Sequence, residues 1–418
     1  MAKTQPVRGT HDLLPDDFAR HRAVIETARK VALTHGYREM ATPIFEFTEI
    51  FARSMGETSD VVSKEMYSFE DRGGESLTLR PEYTAAICRS FITNGLSQQV
   101  PFRAFAAGPM FRYERPQKGR QRQFHQIDVE IIGAPEPAAD VEVLSVGAEI
   151  LRALGILDST VLHINTLGDP ESRGVYREAL VAYFTGVKDR LSEDSLARLG
   201  RNPLRILDSK DAGDRELVAE APEFGDYLNQ ASKDFFAEVL DGLDALGIRY
   251  HVDSRLVRGL DYYTHTAFEF VTDMLGAQGT VLAGGRYDGL IEQIGGPATP
   301  GIGWAGGVER LAMLSGIAEA APKPVALVPV GDAADRAALA IGQTLRRAGF
   351  VVEQAFKGNV GKRMKRADRI GAAVALIFGD DELGRGVVQL RDLGAGSQSE
   401  VAIDALVDAL SGYTGSRV

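Results

Sequence analysis

Apolar side chains return every three to four positions across residues 16–35 (DDFARHRAVIETARKVALTH), which predicts an amphipathic helix with Gly36 as its C-cap. YREMATPIFEF then reads as extended chain around Pro43. A second helix is predicted over 79–94, opening after Pro81 with Glu82 in its first turn. Residues 102–114 and 124–133 read as two strands. The polar, basic loop RPQKGRQRQ joins them into an antiparallel hairpin. A helix over 135–154 and a strand over 160–167 follow. Residues 171–247 are mostly helical and charged, and are expected to form an inserted helical subdomain. Strands resume at RYHVDSRLV and YTHTAFEFVT, ahead of the glycine-rich AGGRYDGLIEQIGG and GIGWAGGVERLAML.

The pattern changes after APKP at 321–324. VALVPV is a continuous apolar strand, followed by the helix DRAALAIGQTLRRAG, the strand FVVEQAF, the basic segment KGNVGKRMKRADRIG and the strand AAVALIFG. This alternation predicts a small α/β domain with a mainly parallel sheet. The tail SGYTGSRV is expected to fray. At 418 residues the chain exceeds what one hydrophobic core ordinarily serves, and APKP is the best linker.

Composition narrows the class. No run of about 18 apolar residues is present, so no membrane span is expected. The N-terminal MAKTQPVRGTHDLLPDD has neither an apolar core nor an Arg-rich amphipathic pattern and reads as untargeted, hence cytoplasmic. The single cysteine, Cys88, rules out an intramolecular disulfide and a cysteine metal cage, and its helical setting predicts a small buried residue. A net charge of −11 argues at first against a nucleic-acid partner, but local charge along one groove decides such contacts.

Local charge is indeed uneven. Arg112, Arg115, Lys118, Arg120 and Arg122 crowd one hairpin loop, a density suited to a polyphosphate or a nucleic-acid end, or simply to a solvated turn. Glu114, two residues from Arg112, is expected on the same strand face, where it could accept from an adenine amino group. On the next strand Gln126, Asp128 and Glu130 alternate with Ile127, Val129 and Ile131. That polar row is either the solvent face or a pocket floor able to pair with an imidazole. Arg258 and Gly259 precede Tyr262 and Tyr263, with Asp261 beside them, while Gly284, Gly285 and Tyr287 mark a second stretch where backbone could approach a ligand. In GWAGGVERL, three glycines precede Glu309 and Arg310 and could form a floor for a flat ring with arginine stacked over it.

These segments together resemble a known family. FRYERPQKGRQRQFHQ looks like motif 2 of class II aminoacyl-tRNA synthetases, GWAGGVERL resembles motif 3, and the first helix with the stretch ending at Pro43 resembles motif 1. VRGLDYY (257–263) and AGGRYDGL (283–290) are similar to the two histidine-specific motifs of histidyl-tRNA synthetases, and RGTHDLLP and TLRPEYTA fit as well. The resemblance implies an α+β fold. A class II antiparallel-sheet catalytic domain over 1–320, with the helical insertion at about 171–247, would precede a small α/β anticodon-binding domain over 325–418.

It also implies roles. Glu82 and Thr84 would hold the amino group of histidine, with Tyr83 between them. Gln126 and Glu130 would read the imidazole, with Tyr262, Tyr263 and Tyr287 closing the pocket. Arg112 and Arg258 would flank the α-phosphate of ATP, and Arg112 would also bind the histidine carboxylate. Glu114 and Phe124 would hold adenine under Arg310, and Arg120 would assist the polyphosphate. Mg²⁺ would bridge the phosphates with no dedicated protein metal site. Arg115, Gln117, Lys118 and Arg122 would meet the acceptor end of tRNA(His), and Lys362, Arg363, Lys365 and Arg366 its anticodon region. Tyr83 departs from the glycine familiar in bacterial relatives, which implies a reshaped pocket rim. A homodimer follows from motif 1. A non-catalytic relative that regulates histidine biosynthesis is the nearest rival; retention of Arg112, Arg258, Arg310 and the C-terminal domain opposes it. A synthetase-like sensor within a larger kinase ranks below both, since no kinase signature is present.

Overall fold

Helix α1 (Pro15–Thr34) starts where the pattern places it, because proline suits the first turn and Asp16 and Asp17 complement the helix dipole. It ends at His35, and Gly36 follows with φ of 81°, a conformation open to glycine at little cost. The computed structural model describes residues 4–417 apart from 57, 58, 60, 208, 258, 259, 261 and 318–320. Two compact units divide the chain, Met1–Glu319 and Ala320–Val418.

In the first unit, β1 (Arg38–Glu39), β2 (Phe45–Phe47), α2 (Thr48–Met55), β3 (Tyr67–Glu70) and β4 (Ser76–Leu79) follow α1. Then come α3 (Thr84–Thr93), the hairpin β5 (Phe102–Phe111) and β6 (Gln123–Ile132), and α4 (Pro137–Ala153). After β7 (Val161–Thr166) lie α5 (Pro170–Gly186), α6 (Glu193–Arg201), α7 (Ala212–Ala219) and α8 (Gln230–Ala245). The unit closes with β8 (Tyr250–Val252), β9 (Thr264–Val271), β10 (Thr280–Arg286), α9 (Leu290–Gln293), β11 (Gly301–Gly307) and α10 (Val308–Ser315).

Eight strands form one sheet in the order β1-β5-β6-β11-β10-β9-β7-β8, antiparallel except at its two edge pairs. Both faces are covered. Val24, Ala28 and Ala32 of α1 join Ile127, Val129 and Ile131 of β6 and the apolar side of α4 in one core. Ala85, Ile87, Cys88 and Phe91 of α3 pack with Ala104, Ala106 and the pocket tyrosines in another. Each larger aliphatic side chain so buried stabilises the fold by roughly 1.5–3 kcal/mol. Cys88 is fully buried, as its helical setting predicts.

The expected insertion is narrower than its helical pattern. Tyr176, Leu180, Phe184, Ile206, Val218 and Phe224 build a separate core across α5–α7. Helix α8 instead places Val239 and Leu243 in the main core. Periodicity reports that a helix has an apolar face, not which core receives it.

In the second unit, β12 (Val325–Val330), α11 (Asp332–Arg347), β13 (Val352–Gln354), α12 (Val360–Arg369) and β14 (Val374–Gly379) appear in the expected order. Helix α13 (Asp380–Gly384), β15 (Val387–Asp392), β16 (Gln398–Ala402) and α14 (Leu406–Ala409) complete it. The sheet runs β13-β12-β14-β15-β16. Its first three strands are parallel, and the β15–β16 hairpin adds two antiparallel ladders that the apolar-run pattern missed. The tail is held rather than frayed. Val351 N donates to Ser416 O at 2.8 Å and Lys323 N to Gly415 O at 2.8 Å.

Candidate active site

Sheet register assembles the site. Gln126, Asp128 and Glu130 of β6 stand opposite Gly307, Ala305 and Gly303 of β11. The small residues are required. A Cβ on Gly303 would fall 1.6 Å from Glu130 Oε2. The alternating polar row is therefore no solvent face: Gln126 is nearly buried and Asp128 and Glu130 fully so.

Glu82 lies before α3, not in its first turn. Its carboxylate accepts from Thr84 N and Ala85 N, both at 2.8 Å, and so caps the helix from outside. Thr84 Oγ1 donates to Glu130 Oε1 at 2.6 Å, and the Tyr287 hydroxyl donates to Glu130 Oε2. Three carboxylates are thus buried, Glu82 at the cavity wall and Asp128 and Glu130 fully enclosed. Burial raises all three, and Asp128 is raised further by Glu130 and Glu82. Glu130 is pushed up to about 8. Neither Asp128 oxygen has a hydrogen-bond partner.

A pH prediction follows. Because the folded value for Glu130 is raised, folding is most favoured below its ordinary value of 4.5, and that contribution is lost as pH rises toward about 8. Glu130→Gln should flatten the decline of the melting temperature between these limits. An unchanged pH profile in the variant would assign the decline to other groups.

The basic loop differs in detail from its strand-based reading. Strand β5 stops at Phe111, so Arg112 and Glu114 are not set on one face by strand alternation. A turn brings them together instead: Glu114 N donates to Arg112 O at 2.8 Å, and Arg112 N to Arg122 O at 2.9 Å. Arg112 Nε donates to Pro81 O at 2.8 Å, and its guanidinium lies 5.4 Å from the Phe124 ring centroid. Glu114 pairs with Arg120 at 2.9 Å. Arg310 Nε donates to Gly119 O at 3.1 Å, tying the loop tip to α10.

One cavity unites these groups. Its walls include Glu82, Thr84, Arg112, Glu114, Arg120 and Phe124, and further round Gln126, Tyr262, Tyr263 and Arg310. Tyr83, Glu130 and Tyr287 do not line it. Tyr83 is buried with its ring 4.0 Å from the Arg80 guanidinium, and its hydroxyl donates to Ala107 O at 3.2 Å. It thus props β5 rather than reshaping a rim. Glu130 and Tyr287 form the layer behind Thr84. Arg258 and Asp261 lie outside the described residues.

Arg80 is a residue that sequence reasoning missed. Fully buried, it donates to Pro109 O at 2.9 Å and Thr42 O at 2.8 Å, fixing β5 against the segment before β2. Its position two residues before Glu82 was the available signal. Among the proposed tRNA contacts, Arg115, Gln117 and Lys118 are exposed. Arg122 instead lies 3.8 Å over the Tyr113 ring and donates to Glu114 O. On α12, Lys362 and Lys365 are exposed and Arg366 pairs with Glu353. Arg363 is buried against Asp335 and Pro329 O. It anchors α12 to the second unit, so its expected RNA contact is corrected to a structural one.

Comparison with known proteins accounts for this arrangement. The family model for histidyl-tRNA synthetase matches residues 9–311, and that for an anticodon binding domain matches 324–413. The chain belongs to the histidyl-tRNA synthetase family. A histidine–tRNA ligase of Gluconacetobacter diazotrophicus is 59% identical over 99% of this chain and 100% of its own length. One of Rhodospirillum rubrum is 59% identical with the same coverage. The crystal structure of apo histidyl-tRNA synthetase from S. aureus superposes with a TM-score of 0.82 at 37% identity, covering 97% of this chain and 99% of that one. Histidyl-tRNA synthetases are ATP-dependent aminoacyl-tRNA ligases, and the antiparallel sheet with its C-terminal domain is their fold. No helix among the described residues is long and apolar enough to cross a membrane.

Proposed function

We propose that the cavity described above activates histidine on ATP and then delivers it to tRNA(His). The chain is a histidine–tRNA ligase, and the finer reading concerns which residues perform each step. What carries it is one cavity walled by Arg112, Glu114, Phe124 and Arg310 on one side and Glu82, Thr84, Gln126 and Tyr263 on the other. The first set suits a purine nucleotide, the second a zwitterionic amino acid with an imidazole.

In the first step a histidine carboxylate oxygen attacks the α-phosphorus. The bond to the bridging oxygen breaks and pyrophosphate leaves. The nucleophile is already anionic, so no protein base is needed. Arg112, joined by Arg258 as the family motif implies, holds the two anions together and offsets charge at phosphorus. Gln126 meets the imidazole directly. Glu130 acts one layer back, orienting Thr84 and Tyr287. In the second step a ribose hydroxyl of the terminal adenosine attacks the adenylate carbonyl, and AMP leaves. Arg115, Gln117 and Lys118 meet the acceptor end, with Arg122 shaping the loop. Lys362, Lys365 and Arg366 meet the anticodon region.

Mg²⁺ fits as a cation carried by the triphosphate. The lining carboxylates Glu82, Glu114 and Glu309 are already engaged by backbone N–H groups, by Arg120 and by His125. Within the cavity they form no all-oxygen cage, which matches a hard ion held mainly by phosphate oxygens and water.

Homodimerisation is supported by the β2-β4-β3 sheet. Its inner face is a hydroxyl network around Thr78, with Thr48 and Ser68 oxygens at 2.9 and 2.7 Å. Its outer face presents Phe45, Phe47 and Phe69 exposed, beside Leu77 and Leu79. Such an apolar sheet face seeks a partner. Phe45→Asp/Phe47→Asp should halve the mass measured by light scattering; an unchanged mass would remove this face from the interface.

The reading is tested by ATP–pyrophosphate exchange against all twenty amino acids. Exchange with histidine alone is expected. Exchange with none would overturn the assignment of this cavity.

A further inference from the structure

Behind the ATP side of the cavity, three ligating side chains converge from separate elements. His21 comes from α1, His125 from β6 and Glu309 from the first turn of α10. One ligand atom from each lies within 4.8 Å of the others. The histidine rings meet edge to face at 5.5 Å, and His125 Nδ1 lies 3.0 Å from Glu309 Oε1. His21 is 8% exposed, yet its Nδ1 has no hydrogen-bond partner. A buried, unsatisfied imidazole nitrogen beside a histidine–carboxylate pair is costly in a purely structural cluster. It is a natural donor to a cation.

We infer that His21, His125 and Glu309 form a binding site for a divalent transition metal of the zinc class, distinct from the Mg²⁺ that accompanies the nucleotide. Two imidazoles and one carboxylate favour zinc over magnesium, because nitrogen donors bind borderline cations more strongly than hard ones. Tetrahedral zinc with bonds of about 2.0–2.1 Å spaces its donors by roughly 3.3 Å, so no gap needs to close by more than about 1.5 Å. Glu309 also accepts from His125 N at 2.9 and 3.0 Å, so the closure falls to the His21 side chain, whose Nδ1 has no hydrogen-bond partner. A groove walled by His11, Asp17, Lys118 and Glu309 opens onto the cluster and admits the water that completes four-coordination. Within that groove Asp17 pairs with Arg20 at 2.5 Å. An occupied site staples α1 to β6 and α10 beside Arg310, whose side chain holds the motif 2 loop tip.

The test uses the full chain, stripped with chelator and kept in excess Mg²⁺, titrated with Co²⁺ and then Zn²⁺. One equivalent of cobalt should bind with the intense visible bands of four-coordinate geometry. Zinc should displace it and raise the melting temperature. His21→Phe, which preserves an aromatic of similar size, should abolish both signals. His251→Phe serves as a control, because His163, His251 and Asp253 form a second, looser group; it should leave the signals intact. Circular dichroism checks folding, and His21→Gln replaces His21→Phe should the latter unfold. No cobalt binding by the wild type, or an unchanged spectrum and stoichiometry in a folded His21 variant, overturns the site. Metal binding is read without activity, so this outcome is independent of the exchange assay.

Discussion

Arg112→Ala lowers kcat/KM for histidine-dependent ATP–pyrophosphate exchange by roughly 10²–10³-fold, the range found when one preorganised donor to developing charge is removed. The geometry explains why one side chain carries this much. Arg112 Nε is spent on Pro81 O at 2.8 Å, and the ring of Phe124 borders the guanidinium. The fork is therefore fixed before substrate arrives, and little reorganisation is left for the transition state. Arg112→Lys should recover only part of the loss, because an ammonium cannot bond Pro81 O and two anionic oxygens in one plane. The residue is only half-buried at the cavity wall, so the melting temperature should hardly move. Exchange within a few fold of wild type would remove Arg112 from the activation step. A parallel fall in melting temperature would instead point to a collapsed loop.

Arg286→Met destabilises the first unit by about 3–5 kcal/mol, the usual cost of leaving one member of a buried ion pair alone. The melting temperature of that unit should drop by on the order of 10 °C. Arg286 and Asp140 are both fully buried, and the guanidinium joins β10 to the start of α4. It donates to Asp140 through Nε at 3.0 Å and also to Ala134 O at 3.1 Å. Burial raises the Asp140 carboxyl and Arg286 opposes that rise. Without Arg286 the carboxyl rises further, so its contribution to stability is lost as pH increases. The defect should shrink in acid. Adding Asp140→Leu should recover much of the loss, since a well-packed apolar pair replaces a half-broken ionic one. Urea or thermal melts of the single and double variants across pH decide this. A loss below about 1 kcal/mol would show that water reaches the pair.

Much of the chemistry was legible because it is written in short stretches. The hairpin required only two apolar strands and a basic loop between them. Glu82, Thr84, Arg112, Glu114, Phe124, Gln126 and Arg310 could be named from their motifs, and all meet in one cavity. Depth was not legible. Gln126 reaches the cavity, while Glu130, four residues on along the same strand face, lies behind it. Tyr287 and Tyr83 are likewise sunk beneath the surface they were expected to form. Alternation marks a strand's two faces, but here both faces are covered, so a polar row can be floor or foundation.

Charge misled for the same reason. Arg363 looked like one of a run of surface cations, and the turn of α12 carries it inward onto Asp335. Helix α8 carried the same apolar spacing as its neighbours in sequence yet belongs to another core. By itself, the sequence determined most of the elements, the family motifs and the residue types that chemistry needs, because these depend on local spacing. Tertiary structure alone decided which polar groups reach the cavity, which are enclosed beside it, and which histidines from distant segments meet. Those outcomes depend on what packs against a face from far along the chain, and local periodicity holds no record of that partner.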